Sequence, residues 1–235
     1  MDLASSAYRS IVQEIRHGMI QPGARLRVDR LATRYGISHT PVKQALARLQ
    51  GEGIVVHLPN QGMRVCVLDE DDCRNVVEAR LMCELFAVRQ GLSRESAAAI
   101  AGILDLIAAY EVAAAAPRTD LLAWHDRLVR TDMEIHAAIV QMADNPPIAA
   151  WHAQLDIQLH GRYLLRMRDL EAVPDSVLQR SNRGHREIGR AMEWRDTTAA
   201  EVAITRHIES YLAVLNAPAS PDVGRARRAH PWNLK

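Results

Sequence analysis

The chain has 235 residues, of which 48% are apolar, 24% are charged and only 4% are aromatic. This composition is ordinary for a globular protein, and abundant alanine with few aromatic side chains favours helices over a large sheet. No uncharged apolar run approaches the ~18 residues of a membrane span, and the opening MDLASSAYRS lacks the features of a secretory signal. The three cysteines have no metal-type pairing and predict reduced thiols. We therefore exclude a membrane protein and a disulfide-framed secreted protein, and expect a cytoplasmic protein.

The net charge of +1 conceals an uneven distribution along the chain. Residues 1–68 contain nine Lys and Arg against four Asp and Glu, a net charge of +5. Residues 69–216 have sixteen basic against twenty-three acidic side chains, a net charge of −7, and residues 217–235 have a net charge of +3. A basic module meets a polyanion favourably, whereas an acidic module does not. This distribution predicts that nucleic acid contacts only the N-terminal part of the chain.

The first predicted element is an amphipathic helix over residues 8–19, which a Gln-Pro-Gly sequence ends. A short strand is predicted over residues 25–28, and residues 28–49 then predict two helices joined by a tight turn. Gly36 ends the first of these helices, because glycine reaches a left-handed conformation without a Cβ penalty. Ser38 is expected to cap the second helix through its hydroxyl group.

The second of these helices has a buried stripe and a polar, basic face. Its apolar residues recur at helical spacing: Val42, Ala45, Leu46 and Leu49. Its opposite face carries His39, Thr40, Lys43 and Gln44. This combination is what a recognition helix needs in a DNA major groove. A plain helical hairpin with a solvated face has the same pattern, so the two helices alone leave both interpretations open.

A short hairpin is predicted directly after the two helices. Residues 54–58 and 63–68 are rich in β-forming side chains, and residues 59–62 have the turn sequence Pro-Asn-Gln-Gly. A hairpin in this position is a wing. Gly62 at its tip can approach a sugar–phosphate backbone closely because it has no side chain. The wing favours the DNA-binding interpretation.

The remainder of the chain predicts helices only. An acidic run at residues 69–72 suits the first turn of a new helix. Glycine, proline and Asp-Thr-Thr sequences separate about six helices, at approximately 70–91, 93–115, 119–143, 146–169, 174–195 and 197–216. The predicted fold is mainly α: a winged helix-turn-helix over residues 1–68 and an antiparallel all-α bundle of six or seven helices over residues 69–216. Residues 217–235 are predicted to be a flexible basic tail.

Four side chains of the bundle are of types that bind transition metals. Asp132 and His136 are four residues apart and project from one helix face, while His185 and His207 lie on the fifth and sixth predicted helices. One carboxylate and three imidazoles can converge on a divalent metal. In a helical chain with ten histidines such a pair also arises by chance, so the spacing alone does not establish a metal site.

The N-terminal sequence resembles the winged helix of the GntR family of bacterial transcription regulators. The similarity covers about the first 68 residues and includes GMIQPGARL, the core GIS-x-TPV-x-x-AL-x-x-L and the glycine wing. It implies DNA contacts at the recognition-helix residues His39, Thr40, Lys43 and Gln44, and at Gly62 in the wing. The family usually has Arg, Arg and Glu where this chain has His39, Lys43 and Gln44. Since neither histidine nor lysine forms the paired hydrogen bonds of arginine to guanine, the family's usual operator bases are not assumed.

The bundle resembles the FCD ligand-binding domain of the FadR-type GntR regulators. The matching sequences are R-x-x-x-E at Arg80 and Glu84, a D-x-x-x-H sequence, GHREIGRAM and RHIESYL. Many members of this group hold a metal through one Asp and three His. The resemblance therefore implies four metal ligands: Asp132, His136, His185 and His207. Zinc is the default metal, with nickel and manganese as alternatives.

A small organic acid can complete the coordination of such a metal, with a nearby cation as counter-charge. Arg80 is the candidate cation, and a salt bridge between Arg80 and Glu84 is the alternative. The other histidines are assigned no role, and the bundle tryptophans are predicted to lie in its core: His125, His152 and His160, and Trp124, Trp151 and Trp194.

The resemblance implies a ligand-responsive transcriptional regulator, by default a repressor. Its homodimer would place two winged helices on the half-sites of a palindromic operator in double-stranded DNA. Effector binding in the bundle would change the placement of these two reading heads. Two alternatives remain: a metal-dependent hydrolase with an accessory DNA-binding module, and a regulator whose metal is purely structural.

Overall fold

A computed structural model of the chain describes residues 2–16, 18–94, 97–167 and 175–215. These residues form two compact units, one of residues 2–74 with 157–167, the other of residues 75–156 with 175–214. Most described residues are helical and one small sheet is present, which confirms the predicted mainly α fold. The predicted tail at 217–235 lies outside the described residues, and the domain boundary near residue 68 stays a prediction.

The first unit contains the predicted helix-turn-helix and wing. Its elements are α1 (Leu3–Arg16), α2 (Val28–Tyr35), α3 (His39–Gly51), β1 (Val55–Leu58) and β2 (Gly62–Val65). The two strands pair antiparallel, with Val55 opposite Val65. A single β-bridge joins Arg25 to Arg64. The predicted strand over residues 25–28 is therefore reduced to one bridge, because α2 already begins at Val28.

Apolar side chains from α1, α3 and the hairpin form one hydrophobic core in the first unit. The most completely buried members are Ile11, Ile15, Val42, Leu46 and Leu49. Their spacing is the helical periodicity that the sequence shows, so burying one face of each helix accounts for where α1 and α3 form. The opposite face of α3 remains open to solvent.

Six helices follow in the described part of the chain: α4 (Glu70–Ser93), α5 (Ala97–Ala115), α6 (Leu121–Gln141), α7 (Pro146–Met167), α8 (Asp175–Glu193) and α9 (Thr197–Leu215). Their limits agree with the predicted ones to within a few residues. Asp120 caps α6, since its side chain accepts a hydrogen bond of 3.0 Å from the backbone N–H of Ala123. The acidic first turn of α4 contains Glu70, Asp71 and Asp72, as expected from the helix dipole.

By length and composition alone, α5 is apolar enough to cross a membrane. Its sequence nevertheless includes Asp105 and Glu111, and the helix packs against α6 and α8. Its buried residues recur at helical spacing: Ile100, Ile103, Ile107, Tyr110 and Ala113. Packing against two neighbouring helices of the bundle accounts for its buried apolar residues.

One predicted helix start and one predicted capping hydrogen bond are wrong. The first helix begins at Leu3 instead of Tyr8, because the Asp2 carboxylate accepts hydrogen bonds from the backbone N–H groups of Ala4 and Ser5. Ser38 stands at the N-cap of α3 as expected, but its hydroxyl makes no capping hydrogen bond. The extended conformation of Ser38, with φ −71° and ψ 167°, is retained without that bond.

Two other predictions also need correction. The second wing strand ends at Val65 and not at Leu68, because its pairing with β1 is complete at that point. Of the bundle tryptophans, Trp124 is buried as predicted, whereas Trp151 and Trp194 have 58% and 76% of their surface exposed. Their positions on α7 and just beyond α8 face solvent, so apolar character alone does not place them in the core.

Candidate metal centre and nucleic-acid interface

The recognition helix α3 presents the face that the sequence predicts. His39, Thr40, Lys43 and Gln44 are all exposed, and the apolar stripe behind them is buried. Gly36 adopts the left-handed conformation between α2 and α3, with φ 64° and ψ 33°. This turn holds α3 against α2 while leaving its polar face open. The geometry is that of a helix able to enter a major groove.

The wing adds a glycine tip with arginines beside it. Gly62 has φ +75°, and a Cβ built on it would lie 3.7 Å from the Nε and Nη2 atoms of Arg25. The Nη1 group of Arg64 donates a hydrogen bond of 2.7 Å to the carbonyl oxygen of Gly23. Sequence reasoning placed Arg25 at the start of a short strand of the wing sheet but assigned it no role at the wing tip.

The four predicted metal ligands converge in the second unit. Asp132 and His136 lie one turn apart on α6, His185 lies on α8 and His207 on α9. All four are buried, and one candidate ligand atom from each lies within 4.8 Å of the others. The Oδ1 atom of Asp132 is 3.2 Å from Nε2 of His185 and 3.8 Å from Nε2 of His207. The structure therefore brings together side chains from three helices.

The polar atoms of this cluster are unsatisfied. Six buried atoms of these residues have no hydrogen-bond partner, and they include one from each residue: Asp132 Oδ1, His136 Nε2, His185 Nε2 and His207 Nε2. A buried polar atom left without a partner costs roughly 1–3 kcal/mol. One carboxylate oxygen with three imidazole nitrogens is also a donor set that suits zinc and neighbouring divalent metals. On both grounds the residues present fit a metal ion.

The protonation states favoured here are those that a metal requires. Burial raises the pKa of Asp132, but its contacts with His185 and His207 outweigh burial and hold that pKa well below the ordinary value. Burial lowers the pKa of His136, His185 and His207, and the charge of Arg80 lowers each further. An ionised carboxylate and neutral imidazoles are the ligand forms that bind metal.

A buried polar network lies behind His136. Glu84 on α4 accepts from His136 Nδ1 at 2.7 Å, from His152 Nε2 at 3.0 Å and from Arg80 Nε at 2.8 Å. Arg80 Nε is also 3.2 Å from Oδ1 of Asp156. Burial raises the pKa of Glu84, but His136 and Arg80 outweigh it and keep that pKa well below its usual range. We call these five residues the Glu84 network: Arg80, Glu84, His136, His152 and Asp156.

Arg80 forms the predicted salt bridge with Glu84, and its alternative role as the counter-charge of an organic acid stays a prediction. It forms the salt bridge with Glu84, and it has a second carboxylate partner in Asp156. Burial alone would lower the pKa of Arg80, but Asp156 and Glu84 raise it above the ordinary value. Its Nη2 group is buried without a hydrogen-bond partner, and its charge acts on all three cluster histidines. The Nη2 atom is thus unpaired, and the guanidinium charge interacts with that of Asp132.

Sequence reasoning missed three contributors to this site. His152 and Asp156 were assigned no role, although their four-residue spacing on α7 is a signal that they share one face. Gly184 was also missed. A Cβ built on Gly184 would lie 2.5 Å from Nδ1 of His207, so the imidazole occupies the space that a side chain would need. In the sequence, the signal for that contact is the glycine that precedes His185 in GHREIGRAM.

These features define a class of protein: a winged helix-turn-helix joined to a helical domain with a buried His/Asp cluster. Residues 3–65 match the family model of "Bacterial regulatory proteins, gntR family", and residues 75–210 match the FCD domain. The chain belongs to the GntR family of bacterial regulatory proteins and carries an FCD domain, which confirms the resemblance. It is a DNA-binding transcriptional regulator.

The chain aligns with regulators of transcription over most of their length. The chain is 30% identical over 213 residues to the "Probable D-xylose utilization operon transcriptional repressor" of Paenarthrobacter nicotinovorans, covering 89% of this chain and 87% of that protein. It is 24% identical over 212 residues to the repressor GlaR of Escherichia coli K12, covering 88% of this chain and 93% of that protein.

Solved structures with the same fold include E. coli McbR/YncC, with a TM-score of 0.76 and 20% identity. That match covers 92% of this chain and 97% of McbR/YncC. A GntR regulator from Rhodococcus sp. RHA1 matches with a TM-score of 0.72 and 19% identity, covering 93% of this chain and all of that one. At these identities the likeness supports the fold alone.

Proposed function

We propose that this regulator is a ligand-responsive repressor whose FCD domain binds a divalent metal and a small organic acid. The observation that carries the proposal is the set of four buried, mutually facing and unpartnered atoms of Asp132, His136, His185 and His207. Leaving these atoms unsatisfied would be costly, whereas a cation bound by all four would remove that cost. The repressors among the relatives support the direction of regulation.

The metal is most simply zinc. One carboxylate and three imidazoles suit zinc, and nickel or manganese remain alternatives because affinity and cellular supply both decide occupancy. Four protein ligands leave room for a further ligand only if the coordination number rises above four, as it does readily with nickel or manganese. The metal would act as a Lewis acid that attracts the carboxylate of the effector.

The effector is proposed to be a small carboxylic acid held by the metal and by Arg80. The unpaired Nη2 group of Arg80 can donate a charge-assisted hydrogen bond to a carboxylate. Since Glu84 and Asp156 already balance the charge of Arg80, its contribution is a directed hydrogen bond more than a net positive charge. This arrangement favours an anion that also has a metal to neutralise it.

DNA is proposed to bind to the first unit, in the cytoplasm, as a palindromic operator read by a homodimer. The contacting residues would be the exposed face of α3 and the wing tip: His39, Thr40, Lys43, Gln44 and Gly62. The net charge of +5 over residues 1–68 supports this assignment, because phosphate contacts supply most of the non-specific affinity.

The proposal is tested by titrating purified protein against DNA fragments upstream of its own and neighbouring genes. Metal-loaded and metal-stripped protein are compared, each with a panel of metabolite carboxylic acids, by mobility shift and by thermal shift. We expect at least one fragment to bind, and an acid that raises the melting temperature only when metal is present. An acid effect that persists in stripped protein would reduce the metal to a structural role.

The variant His185→Ala separates the remaining alternatives. In the regulator it should abolish the acid-dependent thermal shift while retaining DNA binding. Metal-dependent turnover of esters or phosphoesters that His185→Ala loses would favour the hydrolase. Failure of the wild-type protein to bind any fragment at low salt would contradict the operator assignment.

A further inference from the structure

Glu84 is completely buried and is not one of the four proposed ligands, yet it contacts one of them directly. Its Oε2 atom lies 2.7 Å from Nδ1 of His136, and its Oε1 atom is held by His152 and Arg80. An ionised carboxylate can only accept hydrogen bonds, so the imidazole nitrogen that faces it must carry the proton. The neutral ring of His136 then has its lone pair on Nε2.

We propose that Glu84 is a positioning residue for the metal, which fixes the tautomer and the orientation of His136. The proposal rests on the proposed metal site. The nitrogen left free by this tautomer, His136 Nε2, is the atom of the ring that has no hydrogen-bond partner and belongs to the cluster. A ligand histidine whose second nitrogen donates to a carboxylate is both oriented and made more basic. The Glu84 carboxylate therefore explains both why Nδ1 of His136 carries the proton and why Nε2 is free to bind a metal.

Glu84 is itself held so that it cannot turn away from His136. Its other oxygen accepts from His152 Nε2 at 3.0 Å and from Arg80 Nε at 2.8 Å. Arg80 is anchored in turn by Asp156, at 3.2 Å. These partners lie on α4 and α7, whereas the four ligands lie on α6, α8 and α9. Arg80, Glu84, His152 and Asp156 thus support His136 from two helices that provide no metal ligand.

The test is Glu84→Gln, compared with Glu201→Gln as the matched control. Glutamine has nearly the same shape as glutamate, but it cannot accept from His136 on one side without presenting its NH₂ group to the donors His152 and Arg80 on the other. Glutamine at 201 makes the same chemical change in a surface ion pair with Arg89 and leaves the Glu84 network in place. Both variants are titrated with Co²⁺ against a competing chelator, and the visible spectrum of bound Co²⁺ is recorded.

We expect Glu84→Gln to weaken Co²⁺ binding by about 10–100-fold, the usual effect of losing such a partner, and to change the Co²⁺ spectrum. Glu201→Gln should bind Co²⁺ within about threefold of the wild type, with an unchanged spectrum. A purely structural role for Glu84 predicts that Glu84→Gln lowers the melting temperature and leaves the Co²⁺ affinity and spectrum unchanged, which would overturn the proposal. Wild-type protein that takes up no Co²⁺ overturns the metal site as well, whereas equal binding by wild type and Glu84→Gln overturns only the role of Glu84.

A second measurement does not depend on whether a Glu84 variant folds. Long-range ¹H–¹⁵N correlations of the imidazole rings in metal-free wild-type protein report which nitrogen carries the proton, with His136→Gln used only to assign the signal. We expect His136 to be protonated at Nδ1. Protonation at Nε2 would contradict the proposed hydrogen bond and overturn the inference.

Discussion

At Gly184 there is no room even for a methyl group, since a Cβ built there would meet the ring of His207. A glycine in the middle of a helix costs roughly 0.5–1 kcal/mol relative to alanine. Its presence in α8 is therefore best explained by the close approach of α9 at the His/Asp cluster. A missing side chain on one helix positions a proposed ligand on another.

The variant Gly184→Ala tests this contact. Since the added carbon would lie 2.5 Å from Nδ1 of His207, the imidazole must move, and we expect metal affinity to fall at least about tenfold. Gly102→Ala is the control, because it also lies inside a helix but has no atom within 4 Å of the added carbon. The metal affinity of both variants is measured by competition with a chelator. Equal metal affinity in the two variants would show that the space over Gly184 does not position His207.

Lys43 provides a test at the reading face of α3. It is exposed, so Lys43→Ala should change the free energy of unfolding by no more than about 0.5 kcal/mol. Operator affinity should fall. If Lys43 contacts a phosphate, the plot of log affinity against log salt should become shallower, its negative slope losing about one unit of magnitude. Gln50→Ala, at an exposed position near the end of α3, is the control. A collapse of the melting temperature in Lys43→Ala would mean that this side chain is not on an open face.

The sequence predicts those contacts of the site whose two residues are close together along the chain. Arg80 and Glu84 are four apart on one helix, so their salt bridge was among the alternatives considered. The partners His136, His152 and Asp156 come from other helices, and no local spacing shows which helices meet. The metal ligands were assigned through the resemblance, because spacing within single helices cannot show that three helices converge.

At the level of single elements, the turn between α2 and α3 depends on one backbone conformation. Gly36 has φ 64°, and a Cβ there would touch nothing within 4 Å, so any cost of a side chain comes from the backbone alone. For an L-residue this conformation costs roughly 1–2 kcal/mol.

Gly36→Ala should therefore reduce the free energy of unfolding of this unit by about 1–2 kcal/mol. Gly51→Ala is a matched control on the same helix-turn-helix, since Gly51 has ordinary helical backbone and also has open space around it. That control should be neutral or slightly stabilising, by up to about 1 kcal/mol. Urea unfolding followed by circular dichroism compares the two, and an equal effect of both substitutions would contradict the turn as described.

Helices were predicted better than their ends. The apolar periodicity of α3 and the breaks between α4 and α9 depend on local sequence, and both predictions agree with the structure. The start of α1 depends on a side-chain cap by Asp2, which competes with many other polar residues near a chain start. The short strand at residues 25–28 depends on where β2 ends and α2 begins, which is a matter of tertiary pairing.

For the whole molecule, the proposed metal should contribute to stability by joining three helices. A ligand present at 100 times its dissociation constant stabilises the folded state by about 2.7 kcal/mol. We therefore expect a strong chelator to lower the melting temperature of the wild-type protein by several degrees and a matching excess of metal to restore it. Asp132→Ala, which removes one ligand, should start low and respond to neither. A melting temperature indifferent to chelator in the wild type would contradict the metal site.

The convergence of α6, α8 and α9 on one cluster has a consequence for regulation in the cell. If the acid binds through the metal, as proposed, release of the operator requires two molecules at once, and neither suffices alone. Metal starvation would then abolish the response to the acid, even when that acid is plentiful. Gene expression under its control would follow the scarcer of the two signals.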